Sequence, residues 1–345
     1  MTSEKTKRLL GELQRGIPLC RRPFEALADE VGCDETDVLA FLDGCRQQGL
    51  VRRFGAVFDT RRLGYRSALC AAAVPIGELD AVAARLTPLS GVTHCYERVE
   101  YFQYQAPSAK HQVPNLWFTL SYPADIFAAM ADEVAARLKP YAVHVLPATR
   151  RYKVDVVFGA ATRARDESVE DDMPVSARDR AIIRALQGDT VARPDYFAAI
   201  AEQLGMKEWD LLATLELWRR RGRLKRIGLL LAHRDAGWTA NGMCCWRIEG
   251  DTTEAGRALA ACDEVTHCYE RPEAPSFPFN LFAMIHTRSF EEATATFARL
   301  EEVCRLSSGT MLLSTREYKK TSMVFFADRS QPAPHMVQCV LPGNG

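Results

Sequence analysis

The 345-residue sequence has no net charge, because 44 Lys and Arg residues balance 44 Asp and Glu residues. No stretch reaches the roughly 18 uncharged apolar residues of a membrane span, and the first residues lack the apolar core of a signal peptide. We therefore expect a cytoplasmic protein without a membrane partner. The 11 cysteines include no CxxC pair and no zinc-like spacing to histidine, which predicts reduced thiols and no protein-bound metal. Zero net charge also disfavours a nucleic-acid-coating role, although a local basic patch is still compatible with it.

An internal repeat determines the predicted architecture. The heptapeptide VTHCYER occurs at Val92 to Arg98 and again at Val265 to Arg271. The same offset pairs Gly55 with Gly228 without a gap, and later TRRYK at 149–153 corresponds to TREYK at 315–319. The chain is therefore predicted to be a tandem duplication joined by a charged linker.

Each copy begins with a helix-turn-helix pattern and continues with alternating strands and helices. In the first copy, helical periodicity covers Glu4 to Gln14, Pro23 to Val31 and Glu35 to Gln48, followed by two short strands that predict a wing. The order after Ser67 is β-α-β-β-α-β, which predicts an α+β fold with a ferredoxin-like module in each copy. The predicted divisions are a winged helix-turn-helix at 1–64, a ferredoxin-like AsnC-type domain at 65–160, a linker at 161–175, a second winged helix-turn-helix at 176–237, a second ferredoxin-like domain at 238–327 and a loose tail at 328–345.

This pair of modules resembles the Lrp/AsnC regulators, in which a winged helix precedes an effector-binding domain. A recognition helix needs side chains that bind bases or phosphates near its start. The corresponding helix here opens on Asp34-Glu35-Thr36-Asp37, which would repel phosphates, whereas the second copy opens on the mixed run Met206 to Asp210. We therefore do not expect DNA as the partner, and a helix-turn-helix that acts as a scaffold is the preferred interpretation.

The remaining motifs point to a large anionic ligand and to a narrower family. Arginines and lysines gather in RRFGAVFDTRRLGY, in both HCYER strands and at the ends of the last strands, where Arg suits carboxylate clamps. Together with HCYERPEAPSFPFNLFAMIH at 267–286 and NLWFTL in the first copy, these motifs resemble the siroheme decarboxylases of haem d1 biosynthesis, specifically the fused NirDL type. The sequence departs from the family pattern at Phe279, where Tyr is common, and at Thr287, where Gly is common.

The resemblance implies non-oxidative loss of CO2 from the C12 and C18 acetates of siroheme, giving 12,18-didecarboxysiroheme. It implies no cofactor beyond the iron of the siroheme substrate, an internal pseudo-dimer of the two copies and scope for a further homo-oligomer. Catalytic roles would fall on His267, His286, His94 and Arg271. Substrate-binding roles would fall on Arg52, Arg53, Arg98, Asn115, Arg150, Arg151, Lys153, Lys225, Arg226, Asn280, Arg316, Tyr318 and Lys319.

Alternatives remain at this point. A histidine in an apolar strand such as His286 is often a hydrogen-bonded core residue, and VTHCYER also suits a sheet seam. Cys95 and Cys268 are candidate iron ligands, but strand alternation directs each away from its neighbouring histidine. Three function classes stay open: a decarboxylase, a tetrapyrrole-binding protein without turnover and an Lrp/AsnC-type DNA-binding regulator.

Overall fold

The computed structural model describes residues 3–100, 113–154, 174–231, 240–275 and 277–327. Most of the predicted linker and all of the predicted tail lie outside these ranges. Within them, no helix combines the length and the apolar character needed to cross a membrane.

The described chain contains two series of elements in the same order. The helices are α1 (Ser3–Arg15), α2 (Pro23–Val31), α3 (Glu35–Gln47), α4 (Leu79–Leu86), α5 (Phe127–Arg137), α6 (Ala177–Leu186), α7 (Tyr196–Gln203), α8 (Glu208–Arg220), α9 (Thr253–Ala261) and α10 (Phe290–Val303). The strands are β1 (Val51–Phe58), β2 (Tyr65–Ala72), β3 (Val92–Glu100), β4 (Leu116–Pro123), β5 (Val143–Pro147), β6 (Arg150–Val154), β7 (Leu224–Leu231), β8 (Ala240–Trp246), β9 (Val265–Glu270), β10 (Leu281–Thr287) and β11 (Gly309–Lys320).

The two helical triplets, α1 to α3 and α6 to α8, share one hydrophobic core. Phe24 and Phe54 from the first half pack with Tyr196 from the second half, with ring centroids 5.8–6.1 Å apart. The core is built around a two-stranded antiparallel ribbon of β1 and β7, in which Gly55 lies opposite Gly228. A Cβ on Gly55 would lie 2.3 Å from a backbone oxygen of the other half, so only glycine permits this approach. The helix-turn-helix units are therefore a single interlocked body.

The predicted wing of the first copy is wrong, because its two strands do not pair with each other, and in the second copy the segment after β7 lies outside the described residues. β1 pairs with β7 instead of forming a hairpin, and the segment after it contains a short 3-10 turn at Arg61–Leu63. From Tyr65 onward the chain already belongs to β2 of the large sheet. The ribbon is favoured because each of its strands pairs the exposed backbone edge of the other, and the apolar side chains of both strands join the shared core.

The other strands form one nine-stranded sheet in the order β5-β2-β4-β3-β11-β8-β10-β9-β6. Among β2 to β5, and again among β8 to β11, the fourth strand lies beside the first, the third follows and the second comes last. The halves meet in the middle, where the long strand β11 pairs with β8 through its first residues and with β3 through its last. At the far edge, β6 from the first half pairs with β9 from the second. Each half therefore pairs a strand with the other half: the last part of β11 lies beside β3, and β6 lies beside β9.

The sheet has two unlike faces. One face is covered by helices over two separate apolar clusters, which contain Cys95 in the first half and Cys268 in the second. The other face turns toward the β1–β7 ribbon and carries a smaller apolar cluster that includes Trp117 and Phe282. The space between this face and the ribbon holds the candidate site.

Candidate functional site

A cavity of about 510 Å³ lies between the sheet and the β1–β7 ribbon, a volume within the usual range of small-molecule sites. Both halves line it in similar ways. Alternation along β3 and β9 directs one side of each VTHCYER segment into the cavity, so His94, Tyr96 and Arg98 correspond to His267, Tyr269 and Arg271. Cations of both halves therefore converge on one space.

The described lining of the cavity is strongly cationic. It contains no Asp or Glu, but it contains six permanently cationic side chains: Arg52, Arg98, Arg151, Arg226, Arg271 and Lys320. Lys320 lies beside His94 in the register of β11 against β3. Apolar side chains such as Trp117 and Phe282 separate the cations. This combination suits a flat, largely apolar ligand that carries several carboxylates.

Arg98 and Arg271 are the most deeply placed of these cations. Each donates to one backbone carbonyl, Arg98 to that of Leu312 at 3.4 Å and Arg271 to that of Leu146 at 2.6 Å. Burial lowers the pKa of each guanidinium to about 10, so both remain charged near neutral pH. Within the described residues neither forms an ion pair with a carboxylate, and the buried Nε of Arg271 has no hydrogen-bond acceptor. Buried cations in this state are poised to bind an anion.

A histidine pair marks the half of the cavity formed by β9 and β10. Nδ1 of His267 lies 3.1 Å from Oγ1 of Thr266, and Nδ1 of His286 lies 3.3 Å from the same oxygen. Thr266 occupies a β-bulge, since Met284 pairs with His267 while the next residue, Ile285, pairs with Val265. The bulge interrupts strand alternation, which brings the threonine hydroxyl to the side of the histidine rings.

Among the described residues, the half formed by β3 and β4 has one histidine where the other half has two. Thr93 also lies at a bulge, and its Oγ1 is 3.0 Å from Nδ1 of His94. The position that matches His286 is Ser121, whose hydroxyl lies 2.7 Å from that of Ser67. Burial, followed by the charges of Arg52 and other nearby cations, lowers the pKa of His94 to about 3. In the ligand-free cavity His94 is therefore neutral at ordinary pH.

The thiols do not belong to the cavity. Cys95 and Cys268 point into the helix-covered clusters, on the opposite face from His94 and His267. Burial raises the pKa of both thiols to about 12, so neither is a thiolate near neutral pH. They are therefore poorly suited to bind iron. No group of three His, Cys, Asp or Glu residues in the described ranges is arranged to hold a metal ion.

The cavity brings together eight of the predicted site residues: His94, His267, His286, Arg52, Arg98, Arg151, Arg226 and Arg271. Five others lie on the helix-covered side of the sheet: Arg150, Lys153, Arg316, Tyr318 and Lys319. There Lys319 donates to the carbonyls of Thr87 and Leu89, and Lys153 donates to that of Cys262. The prediction erred because the bulged registers of β6 and β11 hide which side each residue faces.

Four further predicted residues form contacts with the backbone and side chains around the cavity. The amides of Asn115 and Asn280 each bind both backbone groups of one residue, Val74 and Ile248 respectively, so they anchor the starts of β4 and β10. Arg53 donates to Ser322 and Ala56. Lys225 lies 3.6 Å from a carboxylate oxygen of Asp59. None of the four appears among the residues that line the cavity.

Two polar residues beside the histidines, Thr266 and Asn241, were not among the predicted site residues. Thr266, which contacts both histidines, lies inside the repeated VTHCYER, so the repeat itself contained a signal for it, whereas Lys320 was among the cations at the ends of the last strands but had no predicted binding role. Asn241 carried no such signal, because it sits in a strand of the second half without a repeated motif. It pairs with His286 in the register of β8 and β10, and its buried Oδ1 has no hydrogen-bond partner among the described residues.

Helix-turn-helix units above a sheet with a cationic ligand cavity define a ligand-binding protein of AsnC-like architecture. The family described as "AsnC-like ligand binding domain" matches residues 62–153 and 235–319, and the "Siroheme decarboxylase NirDL-like HTH domain" matches residues 6–52. A siroheme decarboxylase of Hydrogenobacter thermophilus is 35% identical over 334 residues, covering 93% of this chain and 95% of its own length. The chain belongs to the siroheme decarboxylase family.

Two solved structures are similar over nearly the whole chain. The crystal structure of the siroheme decarboxylase NirDL is 31% identical with a TM-score of 0.71, covering 94% of each chain. The same enzyme in complex with an iron-uroporphyrin III analogue is 31% identical with a TM-score of 0.69, covering 92% of this chain and 93% of its own. The similarity therefore spans both halves of the molecule.

Proposed function

We propose that this protein is a siroheme decarboxylase that removes CO2 from the C12 and C18 acetates of siroheme. The observation that carries the proposal is the cavity with six permanent cations and no acidic side chain in its described lining. Siroheme is a flat macrocycle with carboxylates around its edge, which matches cations distributed around a partly apolar space. One of the similar structures holds an iron-uroporphyrin III analogue, which belongs to the same ligand class.

The cations from both halves hold the carboxylates that do not react. Arg98 and Arg271 act from the floor of the cavity, while Arg52 and Arg226 act from the ribbon above it. Each charge-assisted hydrogen bond contributes on the order of 1.5 to 3 kcal/mol where water is excluded. Several such bonds fix the macrocycle in one orientation, and this fixes which acetate meets the histidines.

The reacting acetate occupies the half of the cavity with His267 and His286. The bond between the methylene carbon and the carboxylate breaks, CO2 leaves, and the electron pair remains on the methylene carbon in conjugation with the macrocycle. A proton then converts this carbon to a methyl group. We assign the proton donor to the His267/His286 pair, because histidine exchanges protons near neutral pH. The reaction consumes one proton per CO2 and no oxidant, so the proposal includes no cofactor beyond the iron of the substrate.

His94 and the predicted division of the chain complete the proposal. Burial chiefly, and the nearby cations next, keep His94 neutral; substrate carboxylates would offset the cations and so raise the pKa of the imidazole. We further infer that the chain is two tandem copies, each a helix-turn-helix unit followed by a ferredoxin-like module, with divisions near those predicted. The repeated strand order and the two matches to the ligand-binding domain support this inference.

Anaerobic incubation of the full chain with siroheme, followed by mass analysis, tests the proposal. We expect the loss of two CO2 masses, and we expect the Arg98→Gln/Arg271→Gln double variant to lose turnover together with binding. A shifted absorption spectrum without a mass change would leave only a tetrapyrrole-binding protein. A DNA-binding regulator has little support, because α3 opens on Glu35 and Asp37 while Arg219 and Arg220 of α8 are ion-paired with Glu216.

A further inference from the structure

Among the described residues, the side chain of Thr266 contacts both histidines of the proposed acid pair. Its Oγ1 lies 3.1 Å from Nδ1 of His267, 3.3 Å from Nδ1 of His286 and 3.1 Å from the carbonyl oxygen of Met284. The distances to the imidazole of His267 and to the carbonyl lie within the normal range for hydrogen bonds, and the one to His286 is slightly longer.

Hydrogen-bond counting at this hydroxyl fixes the direction of each bond. A threonine hydroxyl has one proton to donate and two lone pairs to accept with. The carbonyl oxygen of Met284 can only accept, so the hydroxyl donates its proton there. Both imidazoles must then donate to the hydroxyl, which places a proton on Nδ1 of His267 and on Nδ1 of His286.

We propose that Thr266 is a positioning residue that orients both histidines and sets both in the Nδ1-protonated tautomer. In that tautomer Nε2 of each ring is the basic atom, so protons enter and leave both rings through Nε2. The bulge of β9 is what makes this possible, because regular alternation would direct the hydroxyl to the helix-covered face. The catalytic consequence rests on the proposed function, whereas the tautomers are a property of the protein without substrate.

The first half of the chain supplies a matched control. Thr93 also lies at a bulge and its hydroxyl reaches Nδ1 of His94 at 3.0 Å, but a serine replaces the second histidine. Replacing Thr93 should therefore affect one ring, and replacing Thr266 should affect two. Thr266→Val keeps the branched shape and removes the hydroxyl, whereas Thr266→Ser keeps the hydroxyl.

The test is a long-range proton–nitrogen correlation spectrum of the full chain labelled with ¹⁵N-histidine, recorded without substrate. The rings are assigned with His267→Gln and His286→Gln. We expect Nδ1-protonated signatures for both rings in the wild type and in T266S, altered signatures for both in T266V, and a change at His94 alone in T93V. Wild-type rings protonated at Nε2, or T266V signatures identical to wild type, would overturn the proposal.

Turnover of siroheme by the same variants supplies the second measurement. We expect T266V to lower kcat about 10- to 100-fold with little change in KM, because misoriented donors lose catalytic geometry more than affinity. T266S should recover most of the loss, which a merely structural role for the side chain would not require. If T266V does not fold, Thr266→Ala removes the same hydroxyl. Absence of turnover in the wild type would count against the proposed function and leave the tautomer result standing.

Discussion

The two halves of the cavity share a frame and differ in the groups that perform chemistry. Each half contributes a bulge threonine, a histidine, a tyrosine and a buried arginine at matching positions. The half that contains His286 adds a second histidine, whereas the other half has Ser121 there. The difference teaches that the two halves share the arrangement of binding residues, while among the described residues the proposed acid pair belongs to one side.

The two halves of the cavity also differ in the charge of one pair of matching residues. Arg151 on β6 lies opposite Tyr269, and the matching residue on β11, opposite Tyr96, is Glu317. Burial lowers the pKa of Arg52, and the nearby Tyr96 and Glu317 partly offset this effect, so the carboxylate acts on a cation of the first half. The half with the histidine pair is therefore also the more cationic in this position, which favours anchoring a carboxylate there.

The largest effect is expected from replacing His286, whose counterpart in the other half is Ser121. His286→Ala should lower kcat about 100- to 10,000-fold, the range that a positioned general acid contributes. Ser121→Ala should cost far less, since its hydroxyl is paired with that of Ser67. Single-turnover mass analysis of siroheme measures both. Equal losses in the two variants would break the comparison, and unchanged turnover in H286A would remove His286 from the proposed mechanism.

The buried arginines should behave alike in the two halves. Arg98→Gln and Arg271→Gln should each weaken siroheme binding about 10- to 100-fold, since each loses a charge-assisted hydrogen bond. Each should also stabilise the ligand-free protein, because a buried cation without an acid partner is removed. Spectroscopic titration and thermal melts measure these effects. Arg150→Gln on the other face serves as the control, and a destabilised R271Q with normal binding would contradict the assignment.

The sequence was sufficient to predict the order of elements and much of the cavity. Repeat detection located both VTHCYER strands, and strand alternation correctly separated His94 from Cys95. Helix boundaries such as Pro23–Val31 followed from periodicity and proline position. These features depend on local pattern, which a single sequence records directly.

What the sequence could not reveal depends on contacts between distant segments. A strand such as β1 has the same pattern whether it forms a wing or pairs with β7. The side chain of Lys319 faces the helices because bulges shift the register of β11, and composition carries no signal for such shifts. Asn241 lies at the site because β8 pairs with β10 and places it opposite His286, a pairing that the sequence does not reveal.

His94 predicts a pH dependence for the ligand-free protein. Its pKa falls from 6.5 to about 3 on folding, so between these values the unfolded chain binds the additional proton. The contribution of this group to the free energy of unfolding is therefore complete above about pH 6.5 and is lost as the pH falls toward 3. The free energy of unfolding should change by less than about 1.4 kcal/mol per pH unit in this range. Denaturant unfolding at several pH values measures the slope. His94→Gln should flatten it, and an identical slope in H94Q would contradict the burial of a neutral imidazole.

The smallest effects are expected from the lysines on the helix-covered face, where the two halves differ in hydrogen bonding alone. Lys319 donates to two carbonyls and Lys153 to one, so Lys319→Met should cost about 1 to 3 kcal/mol of stability and Lys153→Met about half as much. Denaturant midpoints measure the difference. Siroheme affinity should stay near the wild-type value in both variants, because neither side chain lines the cavity. A loss of affinity comparable with that of R271Q would mean that β11 turns Lys319 toward the ligand, and the contrast between the two faces of the sheet would fail.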